Sequence, residues 1–250
     1  MLAFAGMLLV YGLVICLVGV GLFIFGFYFY KKKRLIEDIP TSKIRSLTMG
    51  LVEVYGQVVS IPEHLLTSPF TEKDCVYYRY TVEEYRSTGK SAHWVTIKKG
   101  EERRVFYLQD ETGMVLIDPT DASIEAARDF ECKSGLGDDP PDMVMRFLAA
   151  NNIAYEGLLG MNKTMRFRES ILVPTESVYI MGCADENTYE DAVLNQGISH
   201  TMIRKGRQEK MFFISDKKER DILREFTWKT VGGVVGGFLC IVIGVFLMVL

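Results

Sequence analysis

Charge in this chain is confined to its middle. All 29 basic and 32 acidic residues fall between Lys31 and Lys229, so residues 2–30 and 230–250 form two uncharged apolar ends. At about 1.5 Å per helical residue the ends would extend roughly 43 and 31 Å, each enough to cross a hydrocarbon core of about 30 Å. Two transmembrane helices flanking a folded domain are therefore expected. A cleaved signal peptide would instead need a positive n-region, a shorter apolar core and a small-residue cleavage site. No Lys or Arg precedes the first apolar run, which closes in Phe27, Tyr28, Phe29 and Tyr30 and then Lys31, Lys32, Lys33 and Arg34. An aromatic belt followed by a basic stop belongs to a retained span.

Basic residues near a span favour the cytoplasmic side. Lys31 to Arg34 flank the first span and Arg220, Arg224 and Lys229 precede the second, which predicts a cytoplasmic domain with both termini outside. The first cluster would also meet anionic lipid headgroups. The segment between the spans is sized for one domain. Its near balance of charge excludes the basic stripe of a nucleic-acid-binding protein. The partners expected are the lipid bilayer itself and a protein, or a second copy of this chain, engaged through the transmembrane helices. Cys16 and Cys240 fall in the spans, and Cys75, Cys132 and Cys183 are scattered without a C-x-x-C pair. With only His64, His93 and His200 beside them they do not make a zinc module, so no metal site and no cofactor are expected.

Local patterning predicts a basic juxtamembrane linker over 31–46, a β domain over 47–215, a juxtamembrane helix over 216–229 and the second span over 230–250. In Leu51 to Ser60, Val52, Val54 and Val58 alternate with Glu53, Tyr55 and Gln57, the period of a half-buried strand. Val76, Tyr78, Tyr80 and Val82 alternate in the same way with Tyr77, Arg79, Thr81 and Glu83. Further strands are expected over 94–99 and 105–108, joined by a turn at Gly100, and over 114–118 after the turn Asp110-Glu111-Thr112-Gly113, where Gly113 is free to take positive φ. Others fall at 171–173, 178–181, 202–203 and 211–214. One helix should start with Asp139 as N-cap and Pro140 in its first turn, placing Val144, Phe147, Leu148 and Asn151 on one face. Another, beginning near Ser215 with Ile222, Leu223 and Phe226 on one stripe, should run into the second span. The loop over 134–141 reads as flexible. The fold class is mainly β (α+β): a compact antiparallel barrel-like domain of seven to nine short strands with one or two helices.

Several segments also match a known family in order. They are Val52-Glu53-Val54-Tyr55-Gly56, Ser68-Pro69-Phe70 leading to Cys75-Val76-Tyr77-Tyr78-Arg79, Trp94, Phe106 through Asp110 and Gly113 to Asp118-Pro119, Arg166-Phe167-Arg168-Glu169, and Val178-Tyr179-Ile180-Met181-Gly182. The series resembles the GIDE, or beside-a-membrane, domain of the MULAN/MAPL family of membrane-anchored ubiquitin ligases. The resemblance marks Gly56, Ser68, Pro69, Cys75, Tyr77, Tyr78, Trp94, Asp110, Gly113, Glu169 and Gly182 as motif positions without assigning them a role. In eukaryotic members a zinc-binding RING domain follows the second span and recruits a ubiquitin-charged conjugating enzyme. This sequence looks like a short form without the RING, comparable to prokaryotic members. Mitochondrial members place the domain in the intermembrane space, the opposite side from that predicted by the basic flanks.

No catalytic constellation stands out. Glu83 and Glu84 are strand neighbours that point to opposite faces, and Asp138 and Asp139 read as a helix cap. His64 with Ser60, Ser68 and Asp74 is the nearest hint of nucleophilic chemistry, but no G-x-S-x-G elbow accompanies it and an exposed loop histidine is the simpler reading. Trp94, Tyr77 and Tyr78 suit a core better than a ligand pocket. Asn162-Lys163-Thr164 is a glycosylation sequon that matters only outside the cytoplasm. Gly232, Gly233, Gly236 and Gly237 give two overlapping G-x-x-x-G spacings, with Gly233 and Gly237 the candidates for helix pairing. The resulting expectation is a non-enzymatic sensor or scaffold that binds protein, lipid or a small ligand at the membrane surface. The alternative is a ligase-like or hydrolytic enzyme, or an accessory component of a ubiquitin-like conjugation system.

Overall fold

The computed structural model describes residues 2–38, 41–87, 89, 91–157, 162–189, 201–207, 211–217 and 219–249. His200 and Pro40 lie outside them, as do the side chains of Arg220 and Ile222. The chain divides into two compact units, one made of both terminal segments and one of Thr41–Lys217. In the first unit, helix α1 (Leu2–Asp38) does not stop at the aromatic belt but carries its helical hydrogen bonding on through Lys31 to Arg34. Lys and Arg are good helix formers, and no Pro or Gly interrupts them.

The second unit begins with β1 (Gly50–Val59) and is organised around a closed sheet. The short pair β2 (Leu66–Thr67) and β3 (Asp74–Cys75) is followed by the long strands β4 (Tyr77–Ser87) and β5 (Ala92–Arg103). Next come β6 (Phe106–Gln109), β7 (Met114–Ile117), β8 (Ser123–Glu125) and β9 (Phe130–Ser134), helix α2 (Asp142–Ala150), then β10 (Met165–Leu172), β11 (Ser177–Glu186), β12 (Thr201–Arg204) and β13 (Phe213–Ser215). Strand β1 pairs along β11 from Gly50↔Ala184 to Gln57↔Ser177 and passes at Gln57 to β6. The β6–β7 hairpin, β12 and β11 complete a five-stranded circuit, and β13 with β8 extends it from β11. A barrel this small is filled by its own side chains. Val52, Val54, Val58, Leu108, Ile117, Ile180 and Ile203 fill it here.

Strands β5, β4, β10 and β9 form a second, wholly antiparallel sheet. One face is closed by α2, whose Val144 and Leu148 pack with Phe70, Tyr80, Val82, Met165 and Phe167. The other face carries polar side chains.

The domain is β-rich, as patterned, but several details differ from the expectation. The β7–β12 and β8–β13 pairs are parallel, a direction that hydrophobic alternation does not encode. There are thirteen described strands rather than seven to nine, the additional ones being two to five residues long. Gly100 makes no turn. It lies inside β5 opposite Tyr80, where a Cβ would overlap the tyrosine ring. Cys75 to Arg86 is not one strand either. Consecutive Val76 and Tyr77 both enter the barrel core, whereas Tyr80 and Val82 belong to the second core, so the alternation changes phase at this crossing. Glu53, patterned for solvent, is fully buried and accepts from the Thr41 hydroxyl at 2.8 Å, because residues 41–46 cover its face of β1. Helix α2 starts at Asp142 with Pro141 as N-cap. The following proline excludes Pro140 from helical geometry, and Asp139 instead accepts from Asn162 Nδ2 at 2.5 Å. Gly135 and Asp138 exchange two backbone hydrogen bonds of 3.0 Å around a tight turn with Gly137 at φ +78°.

The chain ends in helix α3 (Glu219–Val249), which runs without interruption into the apolar segment. It begins after Ser215, a residue of β13. Residues Leu9–Arg34 and Leu223–Val249 have mean hydropathies of 2.6 and 2.5 and are each long and apolar enough to cross a membrane. Within this unit α1 and α3 meet along glycines. A Cβ on Gly12 would lie 2.6 Å from Gly244 O, one on Gly19 2.8 Å from Gly237 O, and one on Gly26 2.6 Å from Val234 N. At the charged end of the pair, Phe29 and Phe226 have ring centroids 5.5 Å apart, with Lys229 Nζ 4.9 Å from the Phe29 centroid.

Candidate functional site

The motif positions of the β domain divide into internal clamps and neighbours of one open face. Glu169 on β10 is 1% exposed, and its carboxylate accepts from Phe70 N at 2.7 Å, Thr71 N at 3.0 Å and Thr71 Oγ1 at 2.7 Å. Three donors on one buried carboxylate offset the cost of taking its charge out of water. The clamp holds the Ser68-Pro69-Phe70 loop against the sheet. Ser68 Oγ shares a hydrogen bond of 2.7 Å with Thr71 Oγ1 and accepts from Lys73 N at 3.2 Å. Phe70 is thereby driven into the second core, with its ring edge-on to Tyr80, Phe147 and Phe167 at 5.6, 5.0 and 6.0 Å.

Asp110 clamps the barrel. Its Oδ1 accepts from Thr112 N, Thr112 Oγ1 and Gly113 N at 2.6, 2.6 and 3.0 Å, and its Oδ2 from Ile44 N at 2.9 Å. Burial works to raise the Asp110 pKa, but the bonds from Thr112, Ile44 and Gly113 prevail and hold it below the usual carboxylate range. The turn therefore relies on the aspartate side chain, and Gly113 is not among its positive-φ residues. Gly56 sits where β1 leaves β11 for β6, and any Cβ there would strike the Gln109 carbonyl. At Gly182 a Cβ would lie 2.7 Å from Ile203 Cγ2 and 2.8 Å from Phe212 Cδ2.

The nucleophile candidates are equally committed. Cys75 is fully buried, and desolvation, reinforced by Glu169, pushes its pKa up to about 12. Such a thiol carries almost no thiolate at neutral pH. Tyr77 is buried beneath the Arg103 guanidinium, and Tyr78 donates its hydroxyl to Glu102 at 2.9 Å. His64 occupies a short turn, and its side chain makes no hydrogen bond to Ser60, Ser68 or Asp74 among the described residues. Glu83 pairs with Arg166 and Arg168 while its neighbour Glu84 pairs with Arg86, so the two do not converge. Among the described residues no group of three or more His, Cys, Asp or Glu could hold a metal ion.

What remains available lies on the uncovered face of the second sheet. Arg79, Thr81, Arg128, Arg168 and Ser170 line a pocket of about 230 Å³. Register places Arg79 opposite Ser170 and Thr81 opposite Arg168. Arg128 arrives from the segment before β9, which is held by Asp129 N donating to Glu169 O at 3.0 Å and Asp129 Oδ2 accepting from Ile171 N at 2.9 Å. Arg128 and Arg168 share Glu131, and Arg166 and Arg168 share Glu83. Arg79 makes no ion pair among the described residues. Trp94 lies at the border of this face, with the Arg166 guanidinium 4.3 Å from its ring centroid. Sequence reading did not single out these arginines as a site. The Arg166-Phe167-Arg168 alternation signalled which way they point, but the meeting with Arg79 and Arg128 depends on pairing between distant strands.

The paired-helix candidates Gly233 and Gly237 are buried against Gly26 and Gly19 of the same chain. Gly232 and Gly236 face open space.

No curated protein and no solved structure matches this chain. A family model does: the one described as GIDE, E3 ubiquitin ligase, matches residues 77–249, from the first residue of β4 through the end of α3. That span takes in the second sheet with its arginine face, most of the closed barrel and the second apolar helix, and on this match the chain belongs to the GIDE family.

Proposed function

We propose that this chain is a membrane-anchored, non-catalytic member of the GIDE family whose β domain holds a protein, lipid or small-molecule ligand at the cytoplasmic surface as a sensor or scaffold. The supporting observation is that the acidic, hydroxyl and thiol groups at Glu169, Asp110, Ser68 and Cys75 are engaged or buried within the fold, and that the Tyr77 hydroxyl, which makes no hydrogen bond, is sealed in the core away from any substrate. A general base or nucleophile needs an unengaged atom within reach of substrate. Glu169 and Asp110 accept backbone N–H groups, Ser68 is bonded to Thr71, and Cys75 is buried and protonated. The basic residues next to both spans support the cytoplasmic side. In nanodiscs with activating enzyme, conjugating enzyme, ATP and ubiquitin, the chain is expected to yield no ubiquitin conjugates, and ester substrates should hydrolyse at the buffer rate. Conjugates or hydrolysis abolished by Cys75→Ser or His64→Ala would refute this reading.

A further inference from the structure

We propose that the pocket formed by Arg79, Thr81, Arg128, Arg168 and Ser170 binds a phosphomonoester dianion. The four β4 and β10 positions form a two-by-two block on adjacent antiparallel strands, with Arg79 and Arg168 on its diagonal. Diagonal neighbours lie about 7–8 Å apart, within reach of long side chains directed at a common point. Arg128 closes a third side and is positioned by the Asp129 contacts to β10. The 230 Å³ pocket has space for several waters, and so for a phosphoryl group with part of its hydration.

Charge favours an anion. Three guanidinium groups, those of Arg128, Arg166 and Arg168, meet only two carboxylates, Glu83 and Glu131, through the described ion pairs. Arg79 adds a positive charge with no ion-pair partner among the described residues. Arg128 and Glu131 are partly exposed, and ion pairs of that kind are weak enough for a dianion to redirect the arginine. Arg168 Nε is buried and lies 3.4 Å from Glu131 Oε2 without making a hydrogen bond. The Thr81 and Ser170 hydroxyls also make none among the described residues, leaving two neutral donors beside the arginines. Guanidinium groups approaching from three chain segments suit a ligand that accepts on three oxygens, as a phosphoryl group does and a two-oxygen carboxylate does not. Glu83 and Glu131 border the site, and Glu101 lies opposite Arg79 on β5, so a long polyanion would meet repulsion at its edges.

The proposal deepens the reading of the domain as a binding module, and the two are tested separately, one by turnover and the other by equilibrium binding. The full chain in phosphatidylcholine nanodiscs is titrated with inorganic phosphate at constant ionic strength. Saturable binding at one site is expected, weakened at least about tenfold by Arg79→Gln and by Arg128→Gln and unchanged by Lys205→Gln, since Lys205 pairs with Asp121 and does not line the pocket. Arg79 makes no ion pair that its replacement would break, so its loss should leave the thermal midpoint without phosphate unchanged. In nanodiscs that include phosphatidic acid, whose headgroup is itself a phosphomonoester, loss of the free-phosphate titration would assign the site to lipid. Its persistence would assign the site to a soluble phosphate ester. No saturable binding in phosphatidylcholine nanodiscs, or equal binding by wild type and both arginine variants, overturns the proposal.

Discussion

A buried carboxylate and a half-exposed one stabilise this domain by the same means and respond differently to change. Glu169 has all its acceptance directed at Phe70 N, Thr71 N and the Thr71 hydroxyl, so Glu169→Gln places an amide hydrogen against donors and removes the charge that strengthens the remaining bonds. A loss of about 2–3 kcal/mol is expected, read as a lower thermal midpoint of the β domain, with Asp and Ala at this position no better because neither reaches all three donors. An unchanged midpoint would mean that the loop over 68–73 is held by Phe70 packing alone. Asp110 supplies the pH dependence. Its folded pKa lies below its ordinary value, so its contribution is fully present above the unfolded-state value near 3.9 and disappears as pH falls through the folded one. The stability difference between wild type and Asp110→Asn, followed by denaturant unfolding, should therefore shrink steadily below about pH 4. A difference that stays constant to pH 2 would count against the clamp. Neither carboxylate could be given this role from sequence. Both sit in matched motifs, but Glu169 clamps a segment nearly a hundred residues away and Asp110 reaches Ile44 as well as its own turn, and these distant partners include backbone N–H groups that any sequence offers.

At the scale of elements, alternation recovered the strands whose two faces differ and missed those whose faces do not. Strand β1 was legible from Val52, Val54 and Val58, all of which enter the barrel core. Strand β10 begins at Met165, six residues ahead of its expected start, because Met165 and Phe167 are buried on one face while Arg166 and Arg168 take the open one. Glycines misled in two directions. Gly100 marks a place where the Tyr80 ring needs room inside a strand, and the turn glycine Gly113 serves as a donor to Asp110. The helix pair contains a regularity beyond the two G-x-x-x-G spacings: Gly12, Gly19 and Gly26 recur every seven residues, which keeps them on one side of α1 facing Gly244, Gly237 and Gly233. In lipid, close backbone approach at small residues is a main source of helix association. Gly19→Leu with Gly237→Leu should force α1 and α3 apart, lengthening and broadening the distance distribution between spin labels at exposed Leu17 and Leu239. Gly232→Leu with Gly236→Leu, on the open side of α3, should leave that distribution unchanged. Equal effects from the two double variants would contradict the glycine contact.

For the whole molecule, the most readable property was the segregation of charge, because a bilayer constrains long stretches of sequence at once and leaves a signal that needs no knowledge of pairing. Barrel closure was the least readable. It rests on β1 meeting β11 and β7 meeting β12, contacts that join residues more than eighty positions apart and that no local pattern specifies. Sidedness lies between these cases, since Lys31 to Arg34 and Lys229 bias the domain toward the cytoplasm whereas a long loop can be translocated in spite of its flanks. Leu136, 78% exposed at a turn tip, is a suitable reporter position. In a background where the half-buried Cys132 and Cys183 are replaced by serine, Leu136→Cys in intact cells should resist a membrane-impermeant thiol reagent and react once the membrane is permeabilised. Replacing Lys31, Lys32, Lys33 and Arg34 with glutamine should then raise labelling in intact cells, because the bias that retains the domain has been removed. Strong labelling of the parent protein before permeabilisation would place the domain outside the cytoplasm. It would then expose the Asn162-Lys163-Thr164 sequon to the compartment in which glycosylation occurs.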